Sequence, residues 1–194
     1  MYRIVMVDDD PFSLHMLSKI LENEYELKNF TSGNQLLSYL QKDTADMILL
    51  DYLMPEKDGI EVLAEMRKNP KTASIPVVIL TADQNVSLEI TCFKNGAEDF
   101  ITKPFSPEVV RSRIKRILDL KKLRENLQFR LDEKTRQMEN VMLQAFTTVA
   151  NIVDAKDDFT EEHSVHVAEY AARIAKELGW SDKEVYNIYY TGLL

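Results

Sequence analysis

Four consecutive apolar residues, Met47-Ile48-Leu49-Leu50, run straight into a carboxylate, Asp51, and shortly afterwards Pro55, Asp58 and Gly59 stop the strand and turn the chain. An apolar run without polar alternation suits a strand covered on both faces, the habit of a parallel sheet. Parallel sheets hold their chemistry in the crevice outside the carboxyl ends of the strands, so Asp51 is expected at that rim. Burying a charge without a partner is costly, and something nearby has to neutralise it.

The flanking sequence repeats the same unit. Arg3 to Val7 reads as a strand closed by Asp8-Asp9-Asp10-Pro11, with Asp10 a helix N-cap and Pro11 a first helical residue, followed by Leu14, Leu17 and Leu21 at helical spacing. Tyr25 to Phe30 reads as a second strand, and Ser32 with Gln35 as a capping box ahead of Leu36, Leu37 and Leu40. Asp58 with Glu61 caps a helix through Met66, and Pro76 to Leu80 is a fourth strand ending at Thr81. A helix from about Asn85 to Asn95 is closed by Gly96, Glu98 to Thr102 is a short fifth strand, and Ser106-Pro107 opens another helix. Five strand–helix units in a row predict an α/β fold with a doubly wound, five-stranded parallel sheet.

At 194 residues with 45% apolar content, the chain has room for one domain and part of a second. No apolar run approaches the roughly 20 residues of a membrane helix, and the apolar start is cut short by Asp8, so neither a membrane span nor a signal peptide is expected. A cytoplasmic location follows as an expectation. The single Cys92 excludes an internal disulfide and reads as a core thiol. A net charge of -8 speaks against a generally nucleic-acid-binding surface.

Taken together, Asp8 and Asp9 end the first strand, Asp51 the third and Thr81 the fourth, with Lys103 just after the fifth. Singly, each has an ordinary role: a cap, a turn, a solvated side chain. Jointly they gather at one edge of the sheet, where three carboxylates suit a hard cation such as Mg2+ with several waters kept. A phosphoryl group arriving at Asp51 would share its charge with that metal, the Lys103 ammonium and the Thr81 hydroxyl. Asp10 is set aside as a helix cap.

Val7-Asp8-Asp9, Leu50-Asp51 with Met54-Pro55 and Asp58-Gly59, Leu80-Thr81-Ala82 and Lys103-Pro104-Phe105 together resemble the receiver domain of two-component response regulators, over roughly residues 1–120. The resemblance implies a flavodoxin-like fold in which Asp51 accepts phosphate from a sensor histidine kinase. It further implies Mg2+ bound by Asp9, Asp51 and the Leu53 carbonyl, with Asp8 assisting through water. Lys103 would pair with the phosphorylated aspartate, Thr81 would turn its hydroxyl to the phosphate, and Phe100 would move inward as Thr81 shifts. A cis bond between Lys103 and Pro104 belongs to the same pattern.

Past Pro107, no further proline or glycine occurs until after Val153, while Ile114, Ile117, Leu120, Leu127, Leu131, Met138, Val141 and Ala145 follow spacings of three, four or seven. The last helix is expected to continue into a helical linker, residues 121–153, whose strip pairs with a second copy as a parallel coiled coil, with an internal antiparallel helical pair as the alternative. Arg124 and Lys134 interrupt the strip and leave room for a switch in register. Arg111, Arg113, Lys115, Arg116, Lys121, Lys122 and Arg124 make its start basic. Interspersed Asp119 and Glu125 point to a solvated flank or one docked on an acidic receiver rather than to DNA.

Residues 154–194 read as all helical: a helix from Thr160, closed by Gly179, and a last one opened by a capping box of Ser181 and Glu184. His163 and His166 lie one turn apart, as surface or capping histidines or as metal ligands. Asp154 to Thr160, His163-Ser164, Val167 and Tyr190-Thr191-Gly192-Leu193-Leu194 resemble the opening of an HD-GYP domain, a family of metal-dependent phosphodiesterases that hydrolyse cyclic di-GMP. The resemblance makes His163 a first ligand to a divalent metal, while His166 stands where the family has arginine. The chain stops at Leu194, before the family's His-Asp pair and Gly-Tyr-Pro motif, so the expectation is that this stretch alone hydrolyses nothing and that cyclic di-GMP concerns only a complete protein. A non-enzymatic adaptor with a partner-binding helical tail is the alternative.

Overall fold

The computed structural model describes residues 1–83, 86–154 and 163–193. Strands β1 (Arg3–Val7), β2 (Glu26–Phe30), β3 (Met47–Asp51), β4 (Val77–Thr81) and β5 (Asp99–Thr102) alternate with helices α1 (Pro11–Leu21), α2 (Gly33–Leu40), α3 (Gly59–Lys68), α4 (Val86–Lys94) and α5 (Pro107–Asp154). All four strand pairings are parallel, in the order β2-β1-β3-β4-β5. The order reverses at β1 and β3, which opens a crevice at their carboxyl ends. The doubly wound sheet expected from the sequence is therefore the fold observed.

Every residue of β3 and β4 is buried, because side chains alternate between two covered faces. Ile48, Leu50, Val77 and Ile79 pack with Leu36, Val62, Leu63, Met66 and the buried Cys92 of α2, α3 and α4. Met47, Leu49, Val78 and Leu80 pack with Leu14 and Leu17 of α1 and with Val110, Ile114, Ile117 and Leu118 of α5. Local signals set the helix ends: Asp10 caps α1, the Asp58–Glu61 box caps α3, and Gly96 takes the left-handed conformation that closes α4.

Two compact units divide the chain, Met1–Glu125 and Asn126–Leu194. In the second, α6 (His163–Glu177) and α7 (Asp182–Leu193) pack against each other, Ala168 is buried, and the Phe146 ring meets Tyr190 edge-on at 5.0 Å. Among the described residues no helix is long and apolar enough to cross a membrane.

Several expectations need correction. β2 begins at Glu26, one residue late, and β4 at Val77, since Pro76 has no N–H for the ladder while its carbonyl accepts from Ile48. The Ser32–Gln35 box is only half formed: Ser32 Oγ accepts from Gln35 N, but the Gln35 side chain accepts from Thr31 N. Ile114 and Ile117 do not belong to a free strip, because both are buried in the first unit's core, and the exposed run starts at Leu120. The expected helix start at Thr160 lies outside the described residues.

Candidate functional site

β1 ends at Val7, and the chain passes over the rim as Asp8-Asp9-Asp10. Asp8 is fully buried, and its Oδ1 accepts from Asp10 N at 3.0 Å. Asp9 is exposed, and Asp10 is occupied with capping α1 through Phe12 N and Ser13 N. Asp51, the last residue of β3, is 4% exposed. Carboxylate oxygens of Asp8, Asp9 and Asp51 lie within 4.8 Å of one another, a set that could hold a cation. Three carboxylates, two of them buried, make an all-oxygen donor set that fits a hard divalent ion.

Lys103 reaches into this cluster from beyond β5. Its Nζ lies 2.7 Å from Asp8 Oδ2 and 2.7 Å from Asp51 Oδ1, so one ammonium is ion-paired with both carboxylates. Burial pulls the ammonium down, but Asp51 and Asp8 outweigh that and hold it above its usual range. Burial pushes the Asp51 carboxyl up to about 6, Asp8 and Asp9 adding to the rise and Lys103 opposing it. One lysine does not balance three carboxylates, so the site is short of positive charge.

Backbone contacts fix these groups. Tyr52 N donates to Leu80 O and Lys103 N to Thr81 O, which ties the ends of β3, β4 and β5 together. Gly59 N donates to Tyr52 O, and a Cβ on Gly59 would run into Asp51 O, so the loop closes against the site only with glycine there. Thr81 is buried, and its Oγ1 accepts from Asp83 N at 3.0 Å. Leu53, with its side chain in solvent, lines the same cleft of about 200 Å3 along with Tyr52 and Ala82. The Lys103–Pro104 bond is cis.

Asp8, Asp9, Asp51, Thr81 and Lys103 thus meet in one cleft, as the spacing of the strands predicted, and Leu53, which only the resemblance singled out, lines it too. Phe100 sits apart on β5, half-buried against the core and edge-on to Phe93 at 6.0 Å. His163 opens α6, but its side chain lies outside the described set. A larger cavity of about 400 Å3, lined by Arg67, Ile75 and Lys121 among others, lacks such a cluster: the Arg67 guanidinium is committed to the carbonyls of Gly96, Ala73 and Ile75. Sequence reasoning missed two contributors, the close approach of Gly59 and the pairing of buried Asp99 with Arg113 and Arg116. A carboxylate inside a buried strand was the available signal for the second.

Residues 4–115, more than half of the chain, match the family described as the response regulator receiver domain. The chain belongs to that family. The receiver's relatives include a Vibrio cholerae O1 protein named "Probable cyclic di-GMP phosphodiesterase", 29% identical over 93% of this chain and 42% of its own length. The cyclic di-GMP phosphodiesterase response regulator RpfG of Xanthomonas campestris is 29% identical over 94% of this chain and 51% of its own. The chain therefore spans about half the length of these curated relatives. Among solved structures, the signal receiver domain of a signal transduction histidine kinase from Syntrophus aciditrophicus aligns with a TM-score of 0.57 and 32% identity, covering 61% of this chain and 91% of that one.

Proposed function

We propose that Asp51 is the phosphoacceptor of a response regulator and that its acyl phosphate controls what the helices after the receiver do. The observation that carries this is the Lys103 ammonium held between Asp8 and Asp51, at a cluster of three carboxylates still short of positive charge. In the transfer, an Asp51 carboxylate oxygen attacks phosphorus and the bond to the nitrogen of the kinase's phosphohistidine breaks, leaving its electron pair on the imidazole. Lys103 gives up contact with Asp51 oxygen for the incoming phosphoryl oxygens, and Thr81 turns its hydroxyl from Asp83 N toward them. Asp8, Asp9, Asp51 and the Leu53 carbonyl would hold Mg2+, which when bound neutralises charge shared by the carboxylates and the phosphoryl group. Phe100 turns inward as Thr81 moves.

The receiver, residues 1–120, passes this change through the linker, 121–153, to the helical tail, 154–194. Exposed Leu120, Leu127, Leu131, Met138 and Val141 support a parallel homodimer along α5. The names of the two long relatives support a cyclic di-GMP phosphodiesterase as the output of a protein of their length, with His163 among its metal ligands. The adaptor reading is favoured by a different observation: Val167, Tyr170, Ile174 and Leu178 expose one apolar face of α6.

Acetyl phosphate with Mg2+ tests the phosphoacceptor. Intact mass spectrometry should show one added phosphoryl group on the wild type, none on Asp51→Asn, and a strongly reduced yield on Asp9→Asn or after chelation. A wild type left unmodified overturns the proposal.

A further inference from the structure

Phe100 is gripped from two sides. Phe93 of α4 meets its ring edge-on at 6.0 Å, and the guanidinium carbon of Arg113, on α5, stands 5.4 Å from its centroid. Arg113 Nη1 also donates to the Phe100 carbonyl at 2.9 Å and to Asp99 Oδ1, while Arg116 takes the other Asp99 oxygen at 2.8 Å. Asp99 is 4% exposed, so the guanidinium is anchored by a buried carboxylate and has little freedom to leave the ring. The ring itself is half-buried, in contact with the core on one side and with this cation on the other. The cation–π contact and the edge-on Phe93 both favour the ring where it stands.

We infer that Arg113 is a positioning residue for the phosphoryl site: its contact with the Phe100 ring is what the receiver gives up when that ring turns inward. The inference rests on the phosphoacceptor reading and deepens it. Because Arg113 belongs to α5, it also links the ring's position to the helix that continues as the linker. The pairing with Asp99 survives the turn, so α5 keeps its anchorage on β5 while its contact with the ring is released. Removing Arg113 removes a restraint on the ring without removing any group that touches phosphate.

The test uses the full chain labelled with 4-fluorophenylalanine, the Phe100 resonance being assigned by its loss in Phe100→Leu. Beryllium trifluoride with Mg2+ stands in for the phosphoryl group and marks the inward position. Arg113→Gln should move the unliganded resonance part of the way toward that position and raise the initial rate of phosphoryl uptake from acetyl phosphate roughly 2- to 5-fold, the size of one exposed cation–π contact. Arg113→Lys, which keeps a charge beside Asp99, guards against misfolding and should shift the ring in the same direction with an unchanged melting temperature. In the Phe100→Leu background, Arg113→Gln should leave the uptake rate unaltered. An unmoved resonance, or a rate change undiminished in that background, overturns the inference while leaving the phosphoacceptor intact. A wild type that takes up no phosphoryl group overturns both.

Discussion

At the scale of single residues, the fold makes one aspartate, Asp51, costly to ionise. Asp51 has its folded-state pKa raised from 3.8 to about 6, burial being the main cause. Between those values the folded state binds more protons than the unfolded one, so stability attributable to Asp51 falls as pH rises through the window, and the full penalty is present above about 6. In metal-free buffer near pH 7.5, Asp51→Asn should therefore be more stable than the wild type by ~1–3 kcal/mol, and the gain should vanish near pH 4; equal thermal midpoints at both pH values would contradict this. Gly59→Ala places a methyl group against Asp51 O and should cost about 1–3 kcal/mol in denaturant unfolding. The site was legible in the sequence because its members sit at strand ends, where a one-dimensional reading of apolar runs places them within a residue or two. Arg113 was not, because its partner lies 14 residues back and only the fold shows that the two meet.

At the scale of elements, α5 carries two different faces along one helix. From Val110 to Leu118 its apolar residues complete the receiver core. Its cations meet the receiver's own carboxylates: Arg111 with Glu24, Arg113 and Arg116 with Asp99, Lys121 with Asp46, and Arg124 with Glu98. The basic stretch thus serves to dock the helix, one of the two readings that its interspersed acids allowed. Beyond it Leu127, Phe129, Leu131, Met138, Val141 and Met142 stand in solvent. Ile117→Ala should destabilise the receiver by about 2–5 kcal/mol, whereas Leu127→Ala should leave receiver unfolding within about 0.5 kcal/mol of wild type and weaken self-association. Sedimentation showing no effect of Leu127→Ala on a wild-type dimer would remove this strip from the interface. The sequence pattern could not separate the two faces, since helical spacing looks the same whether the strip is covered by a sheet or by a second helix. The half-formed Ser32 cap has a similar origin, because the spacing of Ser32 and Gln35 is that of a capping box while only the folded backbone shows that the Gln35 side chain accepts from Thr31 N.

At the scale of the whole molecule, a receiver of familiar topology is followed by a long helix and a two-helix hairpin, in two compact units. The doubly wound sheet was readable because each strand–helix unit carried its own start and stop signals, and agreement among five of them leaves few topologies. The second unit was less readable: its pattern of small and aromatic residues, with Ala168 buried and Phe146 set against Tyr190, has no strand ends to mark a site. If linker pairing carries the signal, phosphodonor and Mg2+ should change the sedimentation of the wild type and leave that of Asp51→Asn unchanged. The central claim is tested most directly by trapping the acyl phosphate. After treatment with acetyl phosphate and Mg2+, borohydride reduction followed by peptide mapping should convert one aspartate, Asp51, to homoserine; conversion at another carboxylate, or none at all, would contradict the account.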